Sequence, residues 1–169
     1  MRRPAFTLIE LIITITILAL LSYLGAAAYL HLRERSKLAR VSADLFDMGS
    51  AVTQYVQDNN YQYPADVSRG MPNGLEKYLA GGVWPKSIWA HGLFDWDNWT
   101  NNGQQVYQIT YHLCDVNDPI EYCSDPVLFP TFVRDSGIFY CISGPCIPHQ
   151  NEPTIPGYCV NCTIKKVNY

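Results

Sequence analysis

One acidic residue, Glu10, stands inside the most apolar part of the chain. Residues 11–30 behind it carry no charge, and the last cation ahead of it is Arg3. A charge at the centre of a membrane costs roughly 3 kcal/mol, and less near a helix end, so Glu10 needs a partner. A cut between Ala5 and Phe6 would create one, because the new amine of Phe6 would be positively charged. The pattern therefore predicts that Glu10 of one copy neutralises the Phe6 amine of a neighbouring copy.

Cysteines form a second group of residues with potential chemistry. The six of them lie in the last third of the chain: Cys114, Cys123, Cys141, Cys146, Cys159 and Cys162. An even number confined to one part of the chain is typical of disulfides in an oxidising compartment. Six cysteines allow 15 connectivities. We expect Cys114 to pair with Cys123, because this bond would join both edges of the acidic loop between them.

Four of these cysteines also have a spacing that suits zinc. Cys141 and Cys146 are separated by four residues, and Cys159 and Cys162 by two. Four thiolates at such spacing can hold a structural zinc ion. Disulfides are the favoured interpretation, because the predicted topology places this region outside the cytoplasm. A redox role for the Cys159–Cys162 pair would need a thioredoxin-like βαβ context, which the sequence does not indicate.

Carboxylates alternate with aromatic residues in the stretch 94–99. We expect a loop here, whose tryptophans pack on a helix while Asp95 and Asp97 face water. The alternative is that Asp95, Asp97 and nearby carbonyls bind calcium, which takes six to eight oxygen ligands. A second candidate calcium site, equally supported, contains Asp115 and Asp118, with Asn117 between them. The sequence does not distinguish the two sites.

Motifs for catalysis or nucleotide binding do not occur in the sequence. There is no Gly-Xaa-Ser-Xaa-Gly elbow, no His-Glu-Xaa-Xaa-His pair and no phosphate-binding glycine loop. The formal net charge is −3, which argues against DNA binding as a main activity. We therefore expect a protein that is not an enzyme, requires no cofactor and does not have nucleic acid as its main ligand, with calcium as the one candidate ion.

The N-terminal region must position Glu10, and its pattern predicts one long helix. Residues 11–30 would span about 30 Å as a helix, which is the thickness of the bilayer hydrocarbon. Arg2 and Arg3 ahead of this run predict an N-terminus in the cytoplasm and the remainder outside. Apolar residues continue at helical spacing: Leu38, Val41, Leu45, Met48, Val52 and Tyr55. The sequence thus predicts one helix from about Thr7 to about Asp58, with its outer half covered by the chain's own sheet.

Three later segments indicate short strands. Alternation over residues 106–113 predicts a half-buried strand, and the segments 138–142 and 163–167 are further candidates. One long helix followed by short strands predicts an α+β fold with a small antiparallel sheet packed on the helix.

The N-terminal residues resemble those of the type IV pilin superfamily. The resemblance lies in Arg2-Arg3-Pro4-Ala5, then Phe6-Thr7-Leu8-Ile9-Glu10-Leu11, then the apolar helix. It implies a pilin-like fold with a prepilin leader at 1–5, a transmembrane helix segment at 6–32, an extracytoplasmic helix half at 33–60 and a globular head at 61–169. It also implies cleavage before Phe6 by a prepilin peptidase, methylation of the new amine, and a role for Glu10 in subunit registry. The family usually has Gly before the cut, where this chain has Ala5.

A looser similarity connects residues 55–89 to the major pseudopilin of type II secretion systems. It lies in Tyr55-Val56-Gln57-Asp58-Asn59, Tyr63-Pro64, Gly74-Leu75 and Trp84-Pro85-Lys86 with Trp89. These relatives hold a calcium ion in a loop of the sheet region. The resemblance implies a single-pass inner-membrane protein that joins homologous subunits in an extracytoplasmic filament. An assembly platform protein and a separate cytoplasmic ATPase would be its further partners.

Two other functions stay open at this level. One is a minor pilin of a surface pilus or of a DNA-uptake system. The other is a membrane-anchored metal-binding or redox domain that never polymerises. Replacing Glu10 by Ala should abolish filament incorporation in the first case and be harmless in the second.

Overall fold

The computed structural model describes residues 7–67, 69–89, 92–112, 137–144, 157–162 and 166–167. The predicted long helix is confirmed: α1 runs over Leu8–Asp58, a length of 51 residues. It ends where Asn59 donates both its backbone N–H and its side-chain amide to the Tyr55 carbonyl, at 3.0 and 2.8 Å. Asn60 and Tyr61 then adopt positive φ, which no helix continues through. The turn-prone residues 58–60 therefore end the helix as expected.

Within the described residues, five strands follow the helix in one sheet, in the spatial order β1-β2-β3-β4-β5. Their bounds are β1 Leu93–Asn101, β2 Gln104–His112, β3 Gly137–Ser143, β4 Gly157–Cys159 and β5 Lys166–Val167. The three longest strands, β1 to β3, pair antiparallel, which confirms the predicted α+β architecture. The short β4 pairs parallel to β3, and β5 pairs antiparallel to β4. Two 3-10 turns, Glu76–Tyr78 and Ala80–Gly82, lie between the helix and the sheet.

The core lies between the outer half of α1 and one face of the sheet. Val41, Leu45, Met48 and Val52 are all fully buried, as the predicted apolar stripe requires. They pack in one cluster with side chains from three strands and a loop: Trp96, Ile109, Tyr111, Ile138 and Leu75. Burial of each such side chain stabilises the fold by about 1.5 to 3 kcal/mol, so this contact fixes the head on the helix.

The stretch 94–99 is a strand, so the predicted loop is wrong. It forms most of β1, and a two-residue turn at Asn102-Gly103 connects it to β2. Both turn residues have positive φ, 48° and 79°, as hairpin turns of type I′ require. Asn-Gly between two alternating segments is the strongest short sequence signal for a hairpin, and it was the signal that would have identified β1.

The β2 strand is buried on both faces, although alternation predicted a half-buried strand. Ile109 and Tyr111 face the helix and belong to the core. Gln108, Thr110 and His112 lie on the opposite face and are also buried, at 1%, 3% and 7% exposure. Polar residues tolerate this position because they bond to carboxylates on β1. A buried polar row has the same period as a solvated one, so periodicity did not distinguish them.

Candidate functional site

Glu10 closes a capping box at the start of α1. Its carboxylate accepts hydrogen bonds from the Thr7 backbone N–H at 3.0 Å and from the Thr7 hydroxyl at 2.7 Å. The Thr7 hydroxyl in turn accepts from the Glu10 backbone N–H at 3.3 Å. These bonds satisfy backbone donors at the helix start that have no partner within the helix. The Thr-Xaa-Xaa-Glu spacing signals this cap in the sequence. The cap gives Glu10 a local structural role in addition to the predicted pairing with a cation.

The cap holds the Glu10 carboxylate next to the predicted processing point. Thr7 is the residue directly after Phe6, so an amine formed at Phe6 would lie one residue away from the capped turn. Ala5 and Phe6 themselves lie outside the described residues. The two hydrogen bonds from Thr7 keep the acid at the end of the helix, where a cation from a neighbouring helix could reach it.

The apolar half of α1 has no cover in the described part of the structure. Leu8, Ile12, Leu18 and Leu24 are among the large apolar residues that remain more than half exposed. This segment is long and apolar enough to cross a membrane, and the fold buries none of it. An uncovered apolar surface of this length is unfavourable in water, so it is consistent with a single-pass membrane anchor.

Asp95 is buried on the outer face of β1, so the prediction that it faces water is wrong. It is 8% exposed, and its Oδ1 accepts hydrogen bonds from the backbone N–H groups of Arg69 at 2.6 Å and Gly70 at 3.3 Å. Its Oδ2 lies 3.6 Å from Nε2 of His112. The carboxylate thus ties the loop before the 3-10 turns to the hairpin.

Asp97 lies two residues along the same face and is half-buried. Its Oδ2 accepts hydrogen bonds from the Thr110 hydroxyl and from Nε2 of Gln108, the latter at 3.1 Å. Burial raises the pKa of Asp97, and the nearby charge of Asp95 adds to this, while the bonds from Thr110 and Gln108 oppose it. The second aspartate therefore belongs to a buried polar network and does not face water either.

Calcium binding stays a prediction for both candidate sites. The Asp95 and Asp97 oxygens already accept protein hydrogen bonds, and they project from a strand where the prediction assumed a loop. Asp115 and Asp118 lie outside the described residues. Among the residues that the structure describes, the only converging group of three or more potential ligands from His, Cys, Asp and Glu is formed by cysteines.

That group consists of Cys141, Cys159 and Cys162. Cys159 and Cys162 form a disulfide, and Cys141 is also disulfide-bonded. The Cys141 sulfur lies 3.7 Å from the Cys159 sulfur and 3.6 Å from the Cys162 sulfur. A bonded sulfur is not a thiolate, so the zinc alternative would require reduction of these bonds. Cys114, Cys123 and Cys146 lie outside the described residues, as does the predicted Cys114–Cys123 bond.

Asn161 fixes the geometry of this group, a role that sequence reasoning missed. Its side-chain oxygen accepts from the Cys141 backbone N–H at 2.9 Å, and its amide donates to the Cys141 carbonyl at 2.7 Å. Val160 N–H donates to the Phe139 carbonyl at 2.9 Å, which extends the contact. The turn after β4 is thereby attached to the edge of β3. No local sequence signal indicates a contact over 20 residues.

Comparison with known proteins identifies the N-terminal segment. No curated protein and no solved structure matches the chain significantly. The prokaryotic N-terminal methylation motif matches residues 1–22, which include Ala5, Phe6, Glu10 and about the first four turns of α1. Residues 1–22 are therefore the prepilin-type signal of the type IV pilin family.

Proposed function

We propose that this chain is a structural subunit of a type IV filament, closest to a pseudopilin of a type II secretion system. A prepilin peptidase would cleave between Ala5 and Phe6, and the new Phe6 amine would be methylated. The subunit would then leave the membrane and pack its apolar helix beside those of homologous subunits. This is a structural role and involves no catalysis by the chain.

One observation carries the proposal: a prepilin-type signal continues into an exposed apolar helix with a single charged residue. Glu10 is the only Asp, Glu, Lys or Arg between Phe6 and Leu32. Its carboxylate is held at the first turn of the helix by Thr7. In a bundle of such helices, each acid would lie at the level of a neighbour's amine after a small axial shift. An ion pair in a low-dielectric surrounding is strong, so it could set the register between subunits.

The head would remain outside the filament core. Its contacts with α1 begin near Leu38, beyond the apolar segment, so the segment is free to pack with other copies. Work for extraction from the membrane would come from an assembly platform protein and a cytoplasmic ATPase.

We propose an N-terminus in the cytoplasm and a head outside it. Arg33, Arg35, Lys37 and Arg40 follow the apolar segment, so a count of cations on both sides does not favour this orientation. Its support is the prepilin-type signal, which implies a cytoplasmic leader.

The test compares Glu10→Ala with Thr7→Ala in cells that contain the assembly machinery. Both variants break the capping box, but only the first removes the negative charge. We expect both to be processed at Phe6, as shown by the mass of the mature N-terminus. Thr7→Ala should still enter filaments, measured by cross-linking between subunits, while Glu10→Ala should not.

Two results would contradict the proposal. If Thr7→Ala stops incorporation as completely as Glu10→Ala, then Glu10 acts only as a helix cap. If the mature protein retains Met1 to Ala5 in cells with an active peptidase, then no amine forms at Phe6 and the filament function is wrong.

A minor pilin of a surface pilus or DNA-uptake system would give the same result in this test. Assignment to the secretion system instead requires deletion of the chain and measurement of the secreted proteins. Loss of secretion with intact surface pili would support the pseudopilin, and the opposite result would support the minor pilin.

The cysteine group favours a second candidate, a metal-binding or redox domain that does not polymerise. Three sulfurs in contact would suit zinc if they were reduced. Zinc analysis of the full chain, purified in detergent without chelators, tests this directly. Stoichiometric zinc together with normal behaviour of Glu10→Ala would favour the second candidate over the filament subunit.

A further inference from the structure

A cationic cavity lies where α1 leaves its apolar segment. It has a volume of about 310 Å³ and is formed by one side of the helix and the loop before β1. Six of the described residues line it: Tyr29, Arg33, Ser36, Lys37, Arg40 and Ile88. Three of these carry a positive charge and none is acidic. The cavity thus has the charge that an anion would require.

Its position along the helix corresponds to the headgroup layer of a bilayer. The apolar run ends at Leu30, so the Cα atoms of Arg33 and Lys37 lie about 4.5 and 10.5 Å beyond it at 1.5 Å per residue. The polar layer on each side of the hydrocarbon is roughly 5 to 7 Å thick. Helical side chains lean toward the N-terminal end, which brings these long cations, and that of Arg40, back toward the membrane. Arg33 therefore lies at the depth of the lipid phosphates, whereas the Cα atoms of Lys37 and Arg40, about 10.5 and 15 Å beyond Leu30, lie outside this layer and reach back to it only through their long side chains.

The wall opposite the helix is held in place by Tyr111. The Tyr111 hydroxyl bonds to the Ser87 hydroxyl at 2.5 Å and accepts from the Trp89 backbone N–H at 3.3 Å. Ile88, between these two residues, is thereby fixed at the cavity. Lys37 Nζ lies 5.6 Å from the centre of the Trp89 ring, a cation–π contact that restricts the lysine. Ile88 thus forms an apolar edge of an open, cation-lined cavity.

We propose that this cavity binds the phosphate group of an anionic phospholipid such as phosphatidylglycerol. Arginine presents paired N–H donors that match phosphate oxygens, and lysine supplies a compact positive charge. Ser36 and Tyr29, which both carry a hydroxyl group, also line the cavity. The acyl chains would lie along the exposed apolar face of α1, which continues from the cavity without interruption. Bound lipid would fix the depth of the subunit in the membrane before assembly.

This inference requires only that α1 crosses a bilayer, and it does not depend on filament formation. A subunit that never polymerises would bind the same lipid. The test below can therefore fail while the proposed function holds, and the reverse is also true.

The experiment titrates the full chain in detergent with phosphatidylglycerol or with phosphatidylcholine of the same acyl chains. Native mass spectrometry counts the bound lipids. We expect the chain to bind phosphatidylglycerol more tightly than phosphatidylcholine. Lys37→Gln or Arg40→Gln should each lower the affinity for phosphatidylglycerol about fivefold, since one cation near anionic lipid contributes about that factor. The triple variant, which combines Arg33→Gln, Lys37→Gln and Arg40→Gln, should lower the affinity for phosphatidylglycerol roughly a hundredfold. Tryptophan fluorescence on unfolding verifies that each variant retains the folded head.

Arg35→Gln is the matched control, because Arg35 lies in the same helical stretch, is exposed and does not line the cavity. Arg35→Gln should lower the affinity for phosphatidylglycerol by less than about twofold. An equal loss for Arg35→Gln and Lys37→Gln would overturn the proposal, because the attraction would then be general. Equal binding of the two lipids would also overturn it. So would full displacement of phosphatidylglycerol by millimolar inorganic phosphate, which would identify a site for a free anion.

Discussion

Gly49 is buried in the outer half of α1, where the helix packs against Tyr140 of β3. A Cβ atom added at Gly49 would lie 2.4 Å from Cε1 of Tyr140, 2.8 Å from its Cδ1 and 2.9 Å from its Cζ. Ordinary contacts between carbon atoms are about 3.5 to 4.0 Å, so the ring would have to move by about 1 Å. The Tyr140 ring also packs edge-on against Phe46, with centroids 5.0 Å apart. The substitution Gly49→Ala therefore changes both the helix and its contact with the sheet.

Two effects of opposite sign determine the outcome. Replacing Gly by Ala in a helix interior stabilises it by about 1 kcal/mol. Inserting a methyl group into a packed contact costs typically 1 to 3 kcal/mol. We expect the clash to win, so that Gly49→Ala lowers the free energy of unfolding by up to about 2 kcal/mol. The Tyr140→Val variant lacks the three clashing ring atoms. In that variant, Gly49→Ala should raise the free energy of unfolding by up to about 1 kcal/mol.

The assay is unfolding of the full chain in detergent micelles by guanidinium, followed by tryptophan fluorescence. All four tryptophans lie in the head, so the signal reports on the helix–sheet contact. The wild type, the single variants Gly49→Ala and Tyr140→Val, and the double variant form a double-mutant cycle. The expected coupling energy is about 1 to 3 kcal/mol. If Gly49→Ala stabilises the wild-type and Tyr140→Val chains equally, the close approach of Gly49 and Tyr140 is refuted.

Two further predictions concern the core and the half-buried Asp97. Leu45→Ala should lower the free energy of unfolding by about 2 to 5 kcal/mol, because Leu45 is 0% exposed. Phe46→Ala, at the neighbouring position, should lower it by only roughly 1 to 2 kcal/mol, because Phe46 is 47% exposed. Equal losses in the same guanidinium assay would contradict the assigned helix face. The pKa of Asp97 is raised in the folded state, so stability should fall as pH rises from about 4 through that pKa, because ionisation is then harder in the folded than in the unfolded chain. In the Asp97→Asn variant the unfolding midpoint should lose this pH dependence, and the variant should be more stable than the wild type at neutral pH. If the pH profile of the variant matches that of the wild type, Asp97 is not the group responsible.

Features that depend on local sequence were predictable without the structure. The long helix followed from an apolar run joined to a stripe at three- and four-residue spacing, and it begins and ends within one residue of the predicted limits. The prepilin-type signal is a contiguous motif, so residues 1–22 were recognisable from their order alone. The outer stripe around Leu45 was assigned to the core because an amphipathic helix must cover its apolar face.

Features that depend on pairing between distant residues were decided only by the tertiary structure. Asp95 and Asp97 look solvent-facing in sequence, yet β1 pairs with β2 and buries Asp95 fully and Asp97 partly on a polar face of the sheet. Cys141 contacts the Cys159–Cys162 pair because β3 and the turn after β4 are neighbours in the sheet. Strand register brings together residues far apart in the chain, and the energies that fix it come from packing of both faces at once. Short-range patterns reveal which residues alternate or repeat, but not which partner each of them meets.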